Sequence, residues 1–300
     1  MKYQIHNKYI TFIIDELFNN KSIEEFFHYF HLSRKTIHLL KQNKEYQLNG
    51  NYISSETLLK TNDKLTIRSF EKDDQMYPPT FSTIDIIYED DFLLIVNKPA
   101  YLPIYPDSLE KRESLNHYVS YYYQTQGYDY PIRPIHRLDN DTTGLVIYCK
   151  CALLQPLLDY RLSKKEIQRH YLAIVEGQLD KKKYTVHTYI ATDRHHSSKV
   201  RVSKKGKEAI THYQCLKSYK SFSLVECLLE TGRKHQIRVH MSSIGHPLLG
   251  DPLYGHSSSY IKRQALHAYL VEMIHPITLE KLYIECPLPK DFQFLNKLKS

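Results

Sequence analysis

Along this 300-residue chain the spacing of apolar and polar positions changes several times, and each change marks an element. Ser22-Ile23-Glu24-Glu25 is a capping-box pattern, in which the Ser hydroxyl and the Glu carboxylate satisfy each other's backbone N–H groups at a helix start. The helix it opens carries Phe26, Phe27 and Phe30 as an apolar stripe. A second helix is predicted from Ser33, and it sets Arg34, Lys35, Lys41 and Lys44 in or near one short element. Tyr46-Gln47-Leu48, then Asn49-Gly50, then Asn51-Tyr52-Ile53 reads as a hairpin, because Asn-Gly accepts the positive φ of a tight turn. Asp63 to Ile67 adds a further strand to this first unit, residues 1–74.

Consecutive prolines at 78 and 79 exclude helix, so residues 75–83 read as a linker into a second unit, 84–300. That unit opens with Ile84 to Asp91 and a strand from Phe92 to Val96. The polar stretch His136 to Gly144 runs directly into Leu145-Val146-Ile147-Tyr148-Cys149, whose β-branched and aromatic content predicts a strand buried on both faces. A loop pinned to a rigid strand is where chemistry is held in place yet accessible. If the backbone there is extended, Arg137 and Asp139 point to one side, which places a guanidinium and a carboxylate in one cleft. Arg169 to Gly177 alternates like a half-buried strand, and Lys199 to Lys207 is a basic loop before Glu208 to Tyr213. Helical and strand segments mix without a βαβ period, which predicts an α+β fold.

Composition narrows the class. Hydrophobic content of 42% and charged content of 25% are those of a soluble globular protein. The apolar run Phe92 to Val96 is too short to span a bilayer and no leader pattern is visible, so a cytoplasmic protein away from membranes is expected. The five cysteines lack zinc-site spacing and read as reduced core residues; His195-His196 and His235/His240 lack the i, i+4 spacing of a helical zinc site, so no metal is expected. A net charge of +8 favours polyanionic partners. No exposed heptad pattern is present, and a monomer is expected.

Taken alone, Arg137 and Asp139 suit a surface ion pair, and Asp141-Thr142-Thr143-Gly144 a turn. The nine residues HRLDNDTTG together resemble the HRLD-x-x-T-S-G signature of the RluA-type pseudouridine synthases, with Thr143 where that family has Ser. Two further stretches are similar to family motifs in family order. RHYLAIVEG matches K-x-Y-x-A-x-V-x-G with Arg169 in place of Lys, and TGRKHQIRVHM matches the third motif almost residue for residue. The run YEDDFLLIVNKPAYLPIYP resembles the strand and loop beside the family's cleft, with Tyr101 replacing a Gly and Tyr105 a His. SRKTIHLLKQNKEYQLNGNYI resembles an S4 RNA-binding domain.

The resemblance implies an enzyme that isomerises uridine to pseudouridine in structured RNA, ribosomal RNA ahead of transfer RNA, without a cofactor. It implies a mixed, mainly antiparallel sheet with a central cleft. Asp139 is then the nucleophile, Tyr171 the aromatic stacked on the target base, Arg238 the partner of Asp139, and Arg137 a contact to the RNA backbone. Arg34, Lys35 and Lys41 are the expected RNA contacts of the S4-like unit. A buried guanidinium favours the ionised form of a carboxylate that burial alone would neutralise, which is the physical case for Arg238 beside Asp139. Gly250-Asp251-Pro252 reads as a turn without chemistry. Two competing readings are a non-catalytic S4-type binding or assembly protein, and a glycosidase or nucleosidase pairing Asp139 with Asp141. The latter needs two carboxylates facing each other across a scissile bond.

Overall fold

The computed structural model of the chain describes residues 1–70, 77–106, 113–180, 183–196 and 198–297. The first unit contains β1 (Lys2–His6), β2 (Tyr9–Ile13), α1 (Ile23–Tyr29), α2 (Arg34–Gln42), β3 (Tyr46–Leu48) and β4 (Lys64–Arg68). Its strands form an antiparallel sheet in the order β1-β2-β4-β3. The capping box holds as expected: Ser22 Oγ accepts from the Glu25 N–H at 3.1 Å while Glu25 accepts from the Ser22 N–H at 2.6 Å. Phe26, Phe27 and Phe30 are buried, and Phe26 packs on both Phe12 and Phe18.

The hairpin expectation needs correction. Asn49 and Gly50 both take positive φ, so the turn forms, but its return limb is a single bridge from Leu48 to Asn51. β3 pairs with β4 instead, which sets buried Tyr46 and Leu48 opposite buried Ile67 and Leu65; exposed Asn51 and Tyr52 offer no such burial. Burial of apolar pairs outweighs the local turn signal. β1 and β2 were not anticipated, although Ile10 and Phe12, alternating in Tyr9–Ile13, are both core residues.

The second unit carries β5 (Asp85–Glu89), β6 (Leu93–Lys98), α3 (Leu115–Thr125), β7 (Thr143–Cys149), α4 (Gln155–Ser163), β8 (Gln168–Glu176), β9 (Lys183–Thr192), β10 (Val200–Val202), β11 (Lys207–Ser218), β12 (Phe222–Leu229), α5 (Gln236–Ser243), β13 (Leu266–Ile274) and β14 (Lys281–Glu285). Its sheet runs β10-β9-β11-β12-β8-β13-β7-β6-β5, with β14 also on β13. Among the described residues only β13 and β7 pair in parallel. The fold is α+β with a mixed, mainly antiparallel sheet. β7 is buried along its whole length, as its sequence predicts. β8 is not half-buried: Tyr171 to Val175 are all enclosed, because β12 and β13 flank it at the middle of the sheet. Part of the basic loop is likewise ordered, with Val200–Val202 pairing along β9 as β10.

The two units share one apolar core. Phe12, Phe27 and Phe70 belong to the same buried cluster as Phe92, Ile95, Ile147 and Leu157. Tyr3 meets the Phe92 ring edge-on at 4.9 Å, His31 stacks on Tyr160 at 3.6 Å, and the Ala152 N–H donates to the Ser69 carbonyl. Of the linker, Gln75 and Met76 lie outside the described residues; Tyr77 to Phe81 runs without helix beside α3, where Tyr77 meets His117 and Phe81 meets Tyr121. All five cysteines are buried. Among the described residues no helix is long and apolar enough to cross a membrane.

Candidate active site

Three devices fix the loop between His136 and Gly144. At its end, Gly144 has φ +110°, and a Cβ there would lie 2.2 Å from the Ala268 carbonyl oxygen. Only glycine lets β7 approach β13 so closely at the point where the two run parallel. From one side, the fully buried Lys98 donates to the carbonyls of Pro99, Leu102 and Asn140 at 2.7–2.8 Å. Burial pulls its pKa down to about 7 against the opposing charges of Asp141 and Asp139. From the other side, buried Arg263 donates to the Asp141 carbonyl and to Thr143 Oγ1 while its Nε and Nη2 hold Asp291. Replacing Lys98 by Met is expected to destabilise the fold by about 2–4 kcal/mol, since it strands three carbonyls without a donor. Urea unfolding of the variant, compared with wild type, checks this.

The loop opens onto a cleft of about 470 Å³ lined by Arg137, Asp139, Arg169, Tyr171, His235 and Arg238, among others. Arg238 projects from the first turns of α5, with Nη1 donating to Asp139 Oδ2 at 3.3 Å. The tighter partner is Asp251, which takes Nε at 2.7 Å and Nη2 at 2.8 Å in a fork. Asp251 is fully buried, and its Oδ1 also accepts the N–H groups of Leu253 and Tyr254. The reading of Asp251 as a plain turn residue is therefore corrected: it holds the guanidinium that meets Asp139. The signal in the sequence was a carboxylate inside the apolar run PLLGDPLYG, which burial obliges to find a cation. Burial alone would lower the Arg238 pKa, but the hydrogen bonds and charge of Asp251, joined by Asp139, raise it overall.

His235, also missed from sequence, stands 3.9 Å from Asp139 Oδ2 through Nε2, and its Nδ1 lies 3.0 Å from the Tyr254 hydroxyl. Burial brings its pKa down to about 4, so the ring is neutral near pH 7. Its backbone is left-handed at φ 54°, a conformation in which non-glycine residues are uncommon and strain collects at functional sites. Tyr254 packs its ring against the Arg238 guanidinium at 5.2 Å and accepts the Val200 N–H, so β10 is tied to this cluster.

Tyr171 is 4% exposed on β8, opposite Cys227 and Ala268. Burial raises its phenol pKa, with Arg169 opposing and Asp139 adding to the rise. Arg137 is exposed at the mouth, beside exposed Arg233 and Lys234. Asp141 accepts from the Asn140 amide and is not among the residues lining the cleft, which leaves the paired-carboxylate reading without its second group. In the first unit Arg34 and Lys35 are exposed on α2, whereas Lys41 is engaged with Glu24 at 2.6 Å. Tyr101 adopts φ 62°, the left-handed shape for which glycine is suited, so the loop keeps a glycine-type backbone despite its side chain. Tyr105 is half-exposed, close enough to Arg137 for that charge to act on its hydroxyl.

Comparison with known proteins matches this arrangement to a family. Residues 92–243 fit the model for RNA pseudouridylate synthase, and 10–65 fit that for the RluD ribosomal pseudouridine synthase N-terminal domain. The chain belongs to the RNA pseudouridine synthases, and it is an enzyme of that type. Over 88% of each chain it is 39% identical to the uncharacterized RNA pseudouridine synthase YhcT of Bacillus subtilis. It is 38% identical to the ribosomal large subunit pseudouridine synthase D of Nitrosomonas europaea, over 75% of this chain and 67% of that one. Among solved structures, human RNA pseudouridylate synthase domain containing 4 superposes with a TM-score of 0.58 at 25% identity, covering 72% of this chain and 94% of that one.

Proposed function

We propose that this enzyme isomerises uridines of ribosomal RNA, with Asp139 as the nucleophile. The observation that carries the site assignment is that Asp139, Tyr171 and Arg238, distant in sequence, line one cleft with Arg238 donating to Asp139. The ribosomal target is supported by the names of relatives such as the large subunit synthase D proteins.

The reaction breaks the uracil N1–C1′ bond, turns the base and joins C5 to C1′, with no net redox change. Asp139 supplies the carboxylate, and the Arg238–Asp251 fork fixes its orientation. Buried Tyr171 offers an aromatic surface for a base taken out of its stack, a movement that costs a few kcal/mol before any chemistry. Arg137, Arg233 and Lys234 suit the flanking phosphates at the mouth, and Arg34 and Lys35 on α2 extend the basic surface; Lys41, paired with Glu24, is the weaker contact of the three on that helix.

Release of tritium from C5-labelled uridine in transcribed ribosomal and transfer RNA tests the proposal, because isomerisation exchanges the C5 hydrogen. Release from ribosomal RNA alone is the expected result. Release from transfer RNA alone would overturn the target, and tight binding without release from either would favour a non-catalytic RNA-binding protein.

A further inference from the structure

We propose that Arg169 is a second catalytic cation of the cleft, whose guanidinium takes the carbonyl oxygens of the target uracil as the ring becomes anionic. The proposal rests on the reading of the cleft as a uridine site. Arg169 is 7% exposed, lines the cleft, and has a buried Nε without a hydrogen-bond partner. No carboxylate among the described residues pairs with it. The other buried arginines are engaged: Arg238 holds Asp251 and Asp139, Arg263 holds Asp291, and Arg161 donates to the Ile274 carbonyl with Glu166 at 3.9 Å. An unpaired buried cation costs several kcal/mol, and a fold retains one where a ligand brings the missing negative charge.

Position selects the ligand. Arg169 and Tyr171 are i, i+2 on β8, so both side chains rise from the same face of the sheet. The Thr231–His235 loop covers the guanidinium closely, since a Cβ on Gly232 would sit 3.5 Å from both Nη atoms. The charge of Arg169 reaches the Tyr171 phenol and also His136, whose pKa burial, aided by Arg169, takes to about 3; that ring stays neutral and supplies no competing cation. Phosphates are served by the exposed cations at the mouth, while Arg169 lies enclosed beside the tyrosine that would face the base.

The chemistry supplies the anion. When N1–C1′ breaks, its electron pair stays on the uracil and spreads over N1, O2 and O4, while C1′ bonds an Asp139 oxygen. Addition of Asp139 to C6 instead would drive an electron pair onto O4. On either route the ring oxygens gain charge at the transition state, and the charge leaves the ring as C5 bonds C1′; the bond to Asp139 breaks to return its carboxylate, and the C5 proton is lost while N1 takes one up. A guanidinium aimed at those oxygens binds the transition state more strongly than neutral uridine, which lowers the barrier.

The test compares Arg169→Met and Arg169→Lys with wild type in single-turnover tritium release, RNA affinity and thermal unfolding. Arg169→Met is expected to slow release about 10²–10³-fold with RNA affinity within about threefold, and Lys to recover at least about tenfold. Its melting temperature should be equal to or above that of wild type, because an uncompensated charge has gone. With 5-fluorouridine at the target, whose ring carries negative charge more readily, the loss in the rate of product formation should shrink about tenfold. A variant that loses affinity and salt dependence but keeps its single-turnover rate would overturn the proposal in favour of a phosphate contact. A melting temperature lowered by several degrees would overturn the premise of an unpaired cation. An active wild type with an unimpaired Met variant refutes Arg169 alone, whereas an inactive wild type refutes the reading of the cleft.

Discussion

Asp139→Asn should abolish turnover, with a loss of at least about 10⁴-fold, while RNA affinity stays within about threefold of wild type. The amide matches the carboxylate in shape and can still accept from Arg238 through its oxygen, so the cleft should keep its form. What it loses is the negative charge and the oxygen proposed as the nucleophile; Asp251 is turned away into its fork with Arg238, and Asp141 is not a cleft residue. Tritium release read beside a filter-binding titration separates the two effects. Release within tenfold of wild type would remove Asp139 from the mechanism.

Asp251→Ala should be nearly as damaging, by a different route. Deleting it takes both strong acceptors from the Arg238 guanidinium and leaves the Leu253 and Tyr254 N–H groups without theirs. A buried charge stripped of its partner typically costs 3–5 kcal/mol, so the variant is expected to unfold at markedly lower urea concentration. Arg238 is then free to turn wholly onto Asp139, which misplaces the carboxylate and lowers kcat by about 10²-fold or more. Asp251→Asn, which keeps the shape and one acceptor, should recover most of the stability and only part of the turnover. If both variants kept wild-type kcat, the fork would be structural only.

What could be read from the chain beforehand depended on how local the cause was. The capping box at Ser22, the phenylalanine stripe of α1 and the enclosed β7 all follow from short-range spacing, and the structure bears them out. The Asn49-Gly50 turn also forms, but the partner of β3 is set by burial against β4, which lies across the intervening loop. Within the site, motif resemblance pointed to Asp139, Tyr171 and Arg238 at once, and the structure brings these three together. The roles of Asp251, His235 and Lys98 rest on contacts made in three dimensions, of which single-sequence spacing holds no record. Arg169 was legible as a motif position, but its lack of a partner is visible only in the fold. Lys98 shows this most plainly, since a lysine followed by proline looks like an exposed strand end until the three carbonyls around its ammonium are seen.

The apolar core that runs from Phe12 and Phe70 into Phe92 and Ile147 makes the two units a caliper with its jaws already set. On the proposed assignment Arg34 and Lys35 are one jaw and the cleft mouth the other, and the shared core sets the distance between them. The second contact is then made at a high effective concentration, but only by an RNA whose shape spans the fixed gap. A short single-stranded uridine fragment would engage one jaw and forgo that gain. Discrimination among uridines would thus be a matter of distance between two points on a folded RNA, measured by the width of this core.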